Sequence, residues 1–206
     1  MVPNSLQTLL SRRNQRFTCT AAGRQNDAFT FTARITHEVT GGLSQEDIDE
    51  LEIQIGHQDQ LFAVLSTFGS IRLYCDTLSD DSAFYLAHPY EWESLENNFR
   101  LWLDDLDDDE RAELLPDWLE DAVVIGEIPS SGNYFLFPIA GDHQGKVFEF
   151  EHDGFEFIEA GTNLYSFIDY LCTVTDRLIA NVRSHTRYSD GKTDIQWLAN
   201  SYTYES

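Results

Sequence analysis

The chain has 206 residues, 42% hydrophobic and 13% aromatic, so it can bury one sizeable core. This composition excludes a wholly disordered chain, and the 12 glycines, 5 prolines and 3 cysteines exclude collagen-like and disulfide-scaffold proteins. Asp and Glu number 36 against 13 Lys and Arg, a formal net charge of -23. Because a polyanion repels phosphate backbones and anionic lipids, we predict no direct binding to nucleic acid or membranes.

The charge is segregated along the chain. Residues 1–35 carry a net charge of +4, residues 36–176 carry -28, and residues 177–206 carry +1. An acidic body therefore lies between weakly basic ends, which favours a basic partner for the body.

The first residues predict an amphipathic surface helix, with an apolar side formed by Leu6, Leu9, Leu10 and Phe17. The same Arg-rich start is also compatible with a mitochondrial transit peptide. A secretory signal is not indicated, because the arginines follow the apolar pair. The three cysteines are odd in number and far apart, so we expect no disulfide framework and a cytoplasmic location.

Alternating apolar and polar residues predict a long strand near residues 28–37. Ser44 and Asp47 then resemble the capped start of a helix. A second helix is expected to end at Gly69, followed by strands at 71–75 and 83–87 and a helix over 90–103.

Residues 101–121 contain ten carboxylates and one base, Arg111. Leucines and tryptophans are interleaved among them, which predicts a folded helical segment with an acidic surface.

The next stretch, residues 123–159, predicts four short strands separated by turn residues. We interpret His152-Asp153-Gly154 as a structural hairpin turn in which Asp-Gly supplies positive φ angles. A long helix with an apolar stripe from Leu164 to Val182 is expected to close the domain. The residues from 185 onward are either a packed extension or a partly ordered tail.

The motifs of common enzymes and metal sites are incomplete in this sequence. The segment from Gly141 to Val147 has three residues between its glycines and no Ser or Thr after the lysine, unlike a phosphate-binding loop. Asp105, Asp107 and Asp109 have calcium-loop spacing, but the required glycine and final glutamate are missing. The histidines form no zinc motif, and Cys172 fits a buried apolar position. We therefore predict no catalytic residues, no metal and no cofactor.

Five segments follow one another between residues 115 and 171: LPDW, VVIGE, SGNYFLF, GKVFEFEHD and YSFIDYL. Over about 55 residues this series resembles the SUKH superfamily, the Smi/Knr-like family of bacterial immunity proteins and fungal cell-wall regulators. Upstream, Ile48 to Tyr74 is similar in outline only. There Gln58-Asp59-Gln60 replaces the family's Leu-Pro, Phe68-Gly69-Ser70 its Asn-Gly pair, and Pro138 follows Phe137 in place of an acid.

The resemblance implies an α+β fold with a central, largely antiparallel sheet flanked by helices. The domain expected from it spans residues 41–184, with extensions at 1–40 and 185–206. It also implies a non-catalytic immunity protein that binds and neutralises a cognate toxin, often a nuclease, in a polymorphic toxin system. Two other readings stay open: a regulatory or scaffold module like the fungal members, and a surface that is acidic only for solubility.

The sequence places the partner on the acidic helical segment, whose carboxylates are concentrated beside Trp102 and Trp118. Both tryptophans can equally belong to the core. We therefore assign partner binding to six acids of this segment: Asp104, Asp105, Asp107, Asp108, Asp109 and Glu110.

Overall fold

The computed structural model describes residues 4–12, 16–23 and 26–205. Their strands form one antiparallel sheet of nine, with helices packed on it, so the predicted α+β class is confirmed. The strands are β1 (Arg16–Gly23), β2 (Asn26–Gly41), β3 (Phe68–Asp76), β4 (Phe84–Leu86), β5 (Ala122–Ile128), β6 (Asn133–Pro138), β7 (Val147–Glu151), β8 (Glu156–Gly161) and β9 (Trp197–Tyr204). The α-helices are α1 (Asn4–Arg12), α2 (Gln45–Ile55), α3 (Asp59–Leu65), α4 (Pro89–Leu103), α5 (Asp108–Leu114), α6 (Leu164–Cys172) and α7 (Asp176–His185).

The strand order is β8-β7-β6-β5-β4-β3-β2-β1-β9. Strands β1 to β8 are therefore neighbours in the sheet in the order in which they occur in the chain. Only β9 departs from this order, because it returns to pair with β1, with Cys19 opposite Tyr202. The expected extensions at 1–40 and 185–206 thus contribute strands to the same sheet as the rest.

The middle of the sheet is covered on both faces. Neighbouring residues of β6 point to opposite sides, so Tyr134 contacts Phe99 of α4 while Phe135 contacts Phe167 of α6. All six residues of β6 are buried as a result. In β1, by contrast, Phe17 is buried while Arg16 and Thr20 are exposed, so this end of the sheet is covered on one face.

Several predicted helices are confirmed and two are corrected. Helix α2 begins with the predicted capping box between Ser44 and Asp47, and α4 matches the helix expected over 90–103. The second helix ends at Leu65, because Phe68 and Gly69 already belong to β3. The closing helix is two helices, since Thr175 caps a new start by accepting a hydrogen bond from the backbone N–H of Leu178.

Strand β1 was not predicted from the sequence, which assigned Phe17 to the first helix. Phe17 is fully buried in β1 and its ring contacts His37, Tyr74 and Tyr202. Its alternation with Cys19 and Ala21 is the period of a strand. Helix α1 is present, but the side chains of Leu6, Leu9 and Leu10 lie outside the described part.

The pairing of β2 with β3 contains a bulge at the centre of this packing. Thr36 pairs with Cys75 and Glu38 with Arg72, so Leu73 and Tyr74 together lie opposite His37. Tyr74 has a φ of 58°, which is unusual for a bulky residue. Its backbone N–H donates to Nδ1 of His37 at 3.2 Å, and its hydroxyl donates to the carbonyl of Leu171 at 2.8 Å.

His37 is a neutral hydrogen-bond acceptor in this arrangement. Burial, with a smaller contribution from the charge of Arg12, lowers the pKa of His37 from 6.5 to about 3. Because Nδ1 accepts from Tyr74, the ring proton is on Nε2, which lies 3.4 Å from the hydroxyl of Tyr204.

We predict that His37→Leu lowers the free energy of unfolding by about 1–3 kcal/mol, because it leaves the buried N–H of Tyr74 without an acceptor. The hydrogen-exchange protection of that N–H should fall selectively. His37→Asn is the control, since its side-chain oxygen can replace Nδ1 as the acceptor. Equal loss of Tyr74 protection in both variants would contradict this role.

The depressed pKa of His37 also predicts a pH dependence. Between pH 6.5 and the folded-state pKa, the unfolded chain binds a proton at this residue that the folded chain does not. The contribution to stability is therefore complete above pH 6.5 and is lost as the pH falls. Urea unfolding should show the free energy of unfolding of the native chain falling by about 1 kcal/mol more per pH unit than that of His37→Asn. Parallel curves would show that His37 titrates normally.

Candidate functional site

The six predicted partner-binding acids lie where α4 ends and α5 begins. All six are exposed, and we refer to Asp104, Asp105, Asp107, Asp108, Asp109 and Glu110 as the acidic face. The face is formed by one continuous stretch of chain in which α5 has no buried residue. The predicted helical segment with an acidic surface is confirmed.

Two members of the acidic face hold the local fold. The Asp107 carboxylate accepts hydrogen bonds from the N–H groups of Asp109 and Glu110, and the Glu110 carboxylate accepts from the N–H of Asp107. This capping box begins α5. Within the described chain, the other four carboxylates, those of Asp104, Asp105, Asp108 and Asp109, have no side-chain hydrogen bond or ion pair.

The one base of the segment does not neutralise these acids. The guanidinium of Arg111 donates to the backbone carbonyls of Leu103 and Leu106, and so closes the turn between α4 and α5. Among the described residues it forms no ion pair with a carboxylate of the acidic face. The negative charge of the face is therefore open to solvent and to a partner.

The two tryptophans of the segment have different environments. Trp118 is buried and stacks on Phe148 with ring centroids 4.2 Å apart, so it belongs to the core. Trp102 is 41% exposed and contacts the ring of His152. Leu101 and Leu114 are exposed in the same segment. The acidic face thus has apolar side chains beside it, although only one of the two predicted aromatic anchors is accessible.

Asn133 fixes the position of His152. The buried amide oxygen of Asn133 accepts from both the backbone N–H and Nδ1 of His152, at 3.2 and 2.9 Å. The amide nitrogen donates to Oε1 of Glu149 at 3.1 Å. Because a backbone N–H needs an oxygen acceptor, the amide orientation follows, and Nδ1 of His152 carries a proton. Sequence analysis gave Asn133 no role, and its position at the start of β6 was the only signal.

The hairpin between β7 and β8 forms as predicted, but its backbone differs from the expected one. The positive φ falls on Phe155, at 53°, and not on Asp153 or Gly154. The carboxylate of Glu151 accepts from the N–H groups of Asp153 and Gly154, at 3.2 and 2.6 Å. The expectation that Asp-Gly supplies positive φ angles was therefore wrong, because a side chain closes this turn.

The described residues contain one group that combines histidine with carboxylates at metal-ligand spacing. The ligand atoms of Glu151, His152 and Asp153 lie within 4.8 Å of one another. The carboxylate of Glu151 already holds the turn and Nδ1 of His152 is bonded to Asn133, which leaves Nε2 of His152 facing Asp153 at 3.0 Å. We interpret the group as the hydrogen bonding of a hairpin. The calcium-like spacing of Asp105, Asp107 and Asp109 produces no comparable group in the described chain.

The three cysteines are buried and unpaired. Burial raises the pKa of Cys19, Cys75 and Cys172 to about 12 in each case. A thiol of this kind is a poor nucleophile, because the reactive species is the thiolate. The prediction that Cys172 is a buried apolar side chain is confirmed.

Comparison with known protein families and with curated proteins finds no match to this chain. None of the helices in the described residues is long and apolar enough to cross a membrane.

We predict that Asn133→Ala destabilises the protein more than His152→Ala. The first change removes the acceptor of the His152 N–H and one of the hydrogen-bond donors to Glu149, and should cost about 3 kcal/mol. The second removes one hydrogen bond and a ring contact, and should cost about 1 kcal/mol. Chemical denaturation measures both. A folded His152→Ala protein that no longer binds its partner would show that His152 is functional instead of structural.

Proposed function

We propose that this chain is a non-catalytic immunity protein that neutralises a basic, nuclease-type toxin by direct binding through the acidic face. The observation that carries the proposal is the set of exposed, unpaired carboxylates of Asp104, Asp105, Asp108 and Asp109. A toxin that binds nucleic acid presents a positive surface, and complementary charge accelerates encounter and selects the partner.

Three further features support this proposal. Arg111 is occupied by backbone carbonyls, so the charge is not cancelled within the segment. Exposed Leu101 and Trp102 provide apolar contact area beside the charge, as binding surfaces require. The sequence resembles the SUKH superfamily over about 55 residues, which implies the same class of function.

The alternative is a regulatory or scaffold module that binds host proteins, as the resemblance to fungal members implies. The two functions differ in their partner. A toxin gene immediately upstream of the gene for this chain would favour immunity, and the product of that gene is then the protein to use in binding assays.

We predict that changing Asp104, Asp105, Asp108 and Asp109 together to Asn slows association with the toxin and weakens its salt dependence. Dissociation should change less, because charges at the rim of an interface act mainly on the association rate. Stopped-flow or surface-plasmon measurements below and above the salt concentration at which the screening length is about 10 Å test this. Asp107 and Glu110 are left unchanged so that α5 keeps its capping box.

The matched control removes four exposed carboxylates elsewhere, in Glu46→Gln, Glu50→Gln, Asp81→Asn and Asp194→Asn. It removes the same number of negative charges but leaves the acidic face intact. If both variants slow association equally, the total charge and not this face attracts the toxin. Native-like binding by the Asp→Asn variant would place the interface elsewhere, and absence of any toxin binding by the native chain would favour the scaffold function.

A further inference from the structure

A polar cavity of about 230 Å³ lies where three connections of the chain meet. These are the link between α2 and α3, the loop between β6 and β7, and the link between β8 and α6. Connections that meet at one place on a rigid sheet are common positions for ligand sites. The side chains that matter for the argument are Gln58, Asp59, Gln60, Gln144, Thr162 and Asn163.

The wall of the cavity is held in place by hydrogen bonds between these connections. Gln58 is 5% exposed, and its amide nitrogen donates to the carbonyls of Ile55 and Ile139. The oxygen of Gln60 accepts from the N–H of Tyr165. Gly145 has a φ of 81°, which favours glycine, and its N–H donates to the carbonyl of Pro138. The cavity is therefore formed before any ligand arrives.

Several polar groups on this wall have unused hydrogen-bonding capacity. In the part of the chain that is described, the amide nitrogens of Gln60 and Asn163 donate to no acceptor, while the oxygens of both groups are engaged. The amide oxygen of Gln144 accepts no hydrogen bond there either, and its nitrogen has only a contact of 3.4 Å with Gln58. Donors and acceptors thus line the same cavity.

The charges around the cavity disfavour an anion. Its lining contains no lysine or arginine. Asp59 lies in the wall with one oxygen 2.8 Å from Nε2 of His57, whose other ring nitrogen lies 2.6 Å from Glu52. These two carboxylates raise the pKa of His57. The positive charge of the protonated ring is then paired with Glu52 and Asp59. A phosphate or carboxylate ligand would meet Asp59 without a free cation to balance it.

We propose that this cavity binds a neutral, polyhydroxylated small molecule of about the size of a monosaccharide. Each hydroxyl group both donates and accepts, which matches a wall of amides and one carboxylate. The volume is below the range of about 300–1,000 Å³ that holds drug-sized ligands. The site is separate from the acidic face, none of whose residues lines it, so it does not depend on the proposed immunity function.

Two segments that the sequence analysis singled out, and that have no part in the proposed immunity function, contribute to this wall. Gln58-Asp59-Gln60 replaces the Leu-Pro of the family that the chain resembles, and Gln144 and Gly145 belong to the loop that failed the phosphate-binding pattern. The failure of that pattern agrees with a site for an uncharged ligand.

The test is a titration of the full-length, 15N-labelled chain with glucose, galactose, mannose and N-acetylglucosamine, followed by amide chemical shifts. Each sugar is added to about 50 mM, well above the dissociation constants of weak millimolar complexes. At least one sugar should produce saturable shifts at Gln60, Gln144 and Asn163. Gln144→Leu and Gln60→Glu should each weaken this binding about tenfold, and Gln60→Glu keeps the oxygen that accepts from Tyr165.

The control is Gln54→Leu, an exposed glutamine on α2 that does not line the cavity. It should bind as the native chain does. The proposal is overturned if none of the four sugars shifts the cavity residues, or if all three variants bind equally. It is also overturned if inorganic phosphate or calcium, added alone, shifts these residues while the sugars do not.

Discussion

The bulge between β2 and β3 is the constraint on which the assembly of the sheet depends. It rotates Tyr74 out of the regular ladder, so that its N–H reaches His37 and its hydroxyl reaches the end of α6. Strands β1 and β9 lie beyond β2, so the backbone ladder that includes them reaches β3 and the strands after it through this pairing. A buried histidine that must stay neutral therefore supports the junction between the two ends of the chain and the rest of the fold.

The acidic face combines two roles of the same residue type. Asp107 and Glu110 begin α5, while their neighbours carry unpaired charge in the turn before α5 and in its first residues. Removing all the carboxylates at once would therefore confuse unfolding of α5 with loss of charge. The separation of capping from unpaired acids is visible only in the structure, since all six have the same side-chain chemistry and lie within seven positions.

Patterns that are local in the chain predicted local structure well, for physical reasons. The Ser44 to Asp47 capping box and the alternation in β2 act over a few residues, and both are present. Strand β1 was missed because Phe17 followed three leucines at helical spacing and its strand partners are distant in the chain. Asn133 and the cavity amides were missed because their roles come from residues brought together by the sheet, such as Asn133 and His152, which are 19 positions apart. The partner of the acidic face remains a proposal for the same reason, since charge density identifies a class of partner but no individual one.

The pairing of β1 with β9 has a consequence for folding during synthesis. Strands β2 to β8 can add to the growing sheet in the order in which they leave the ribosome, through contacts between sequence neighbours. Strand β1 must wait for β9, about 180 residues later, to cover its outer edge. Until then that edge has unpaired backbone groups that can join another chain. Residues 197–204 therefore cover this edge of β1, and a nascent or truncated chain without them would expose a template for aggregation.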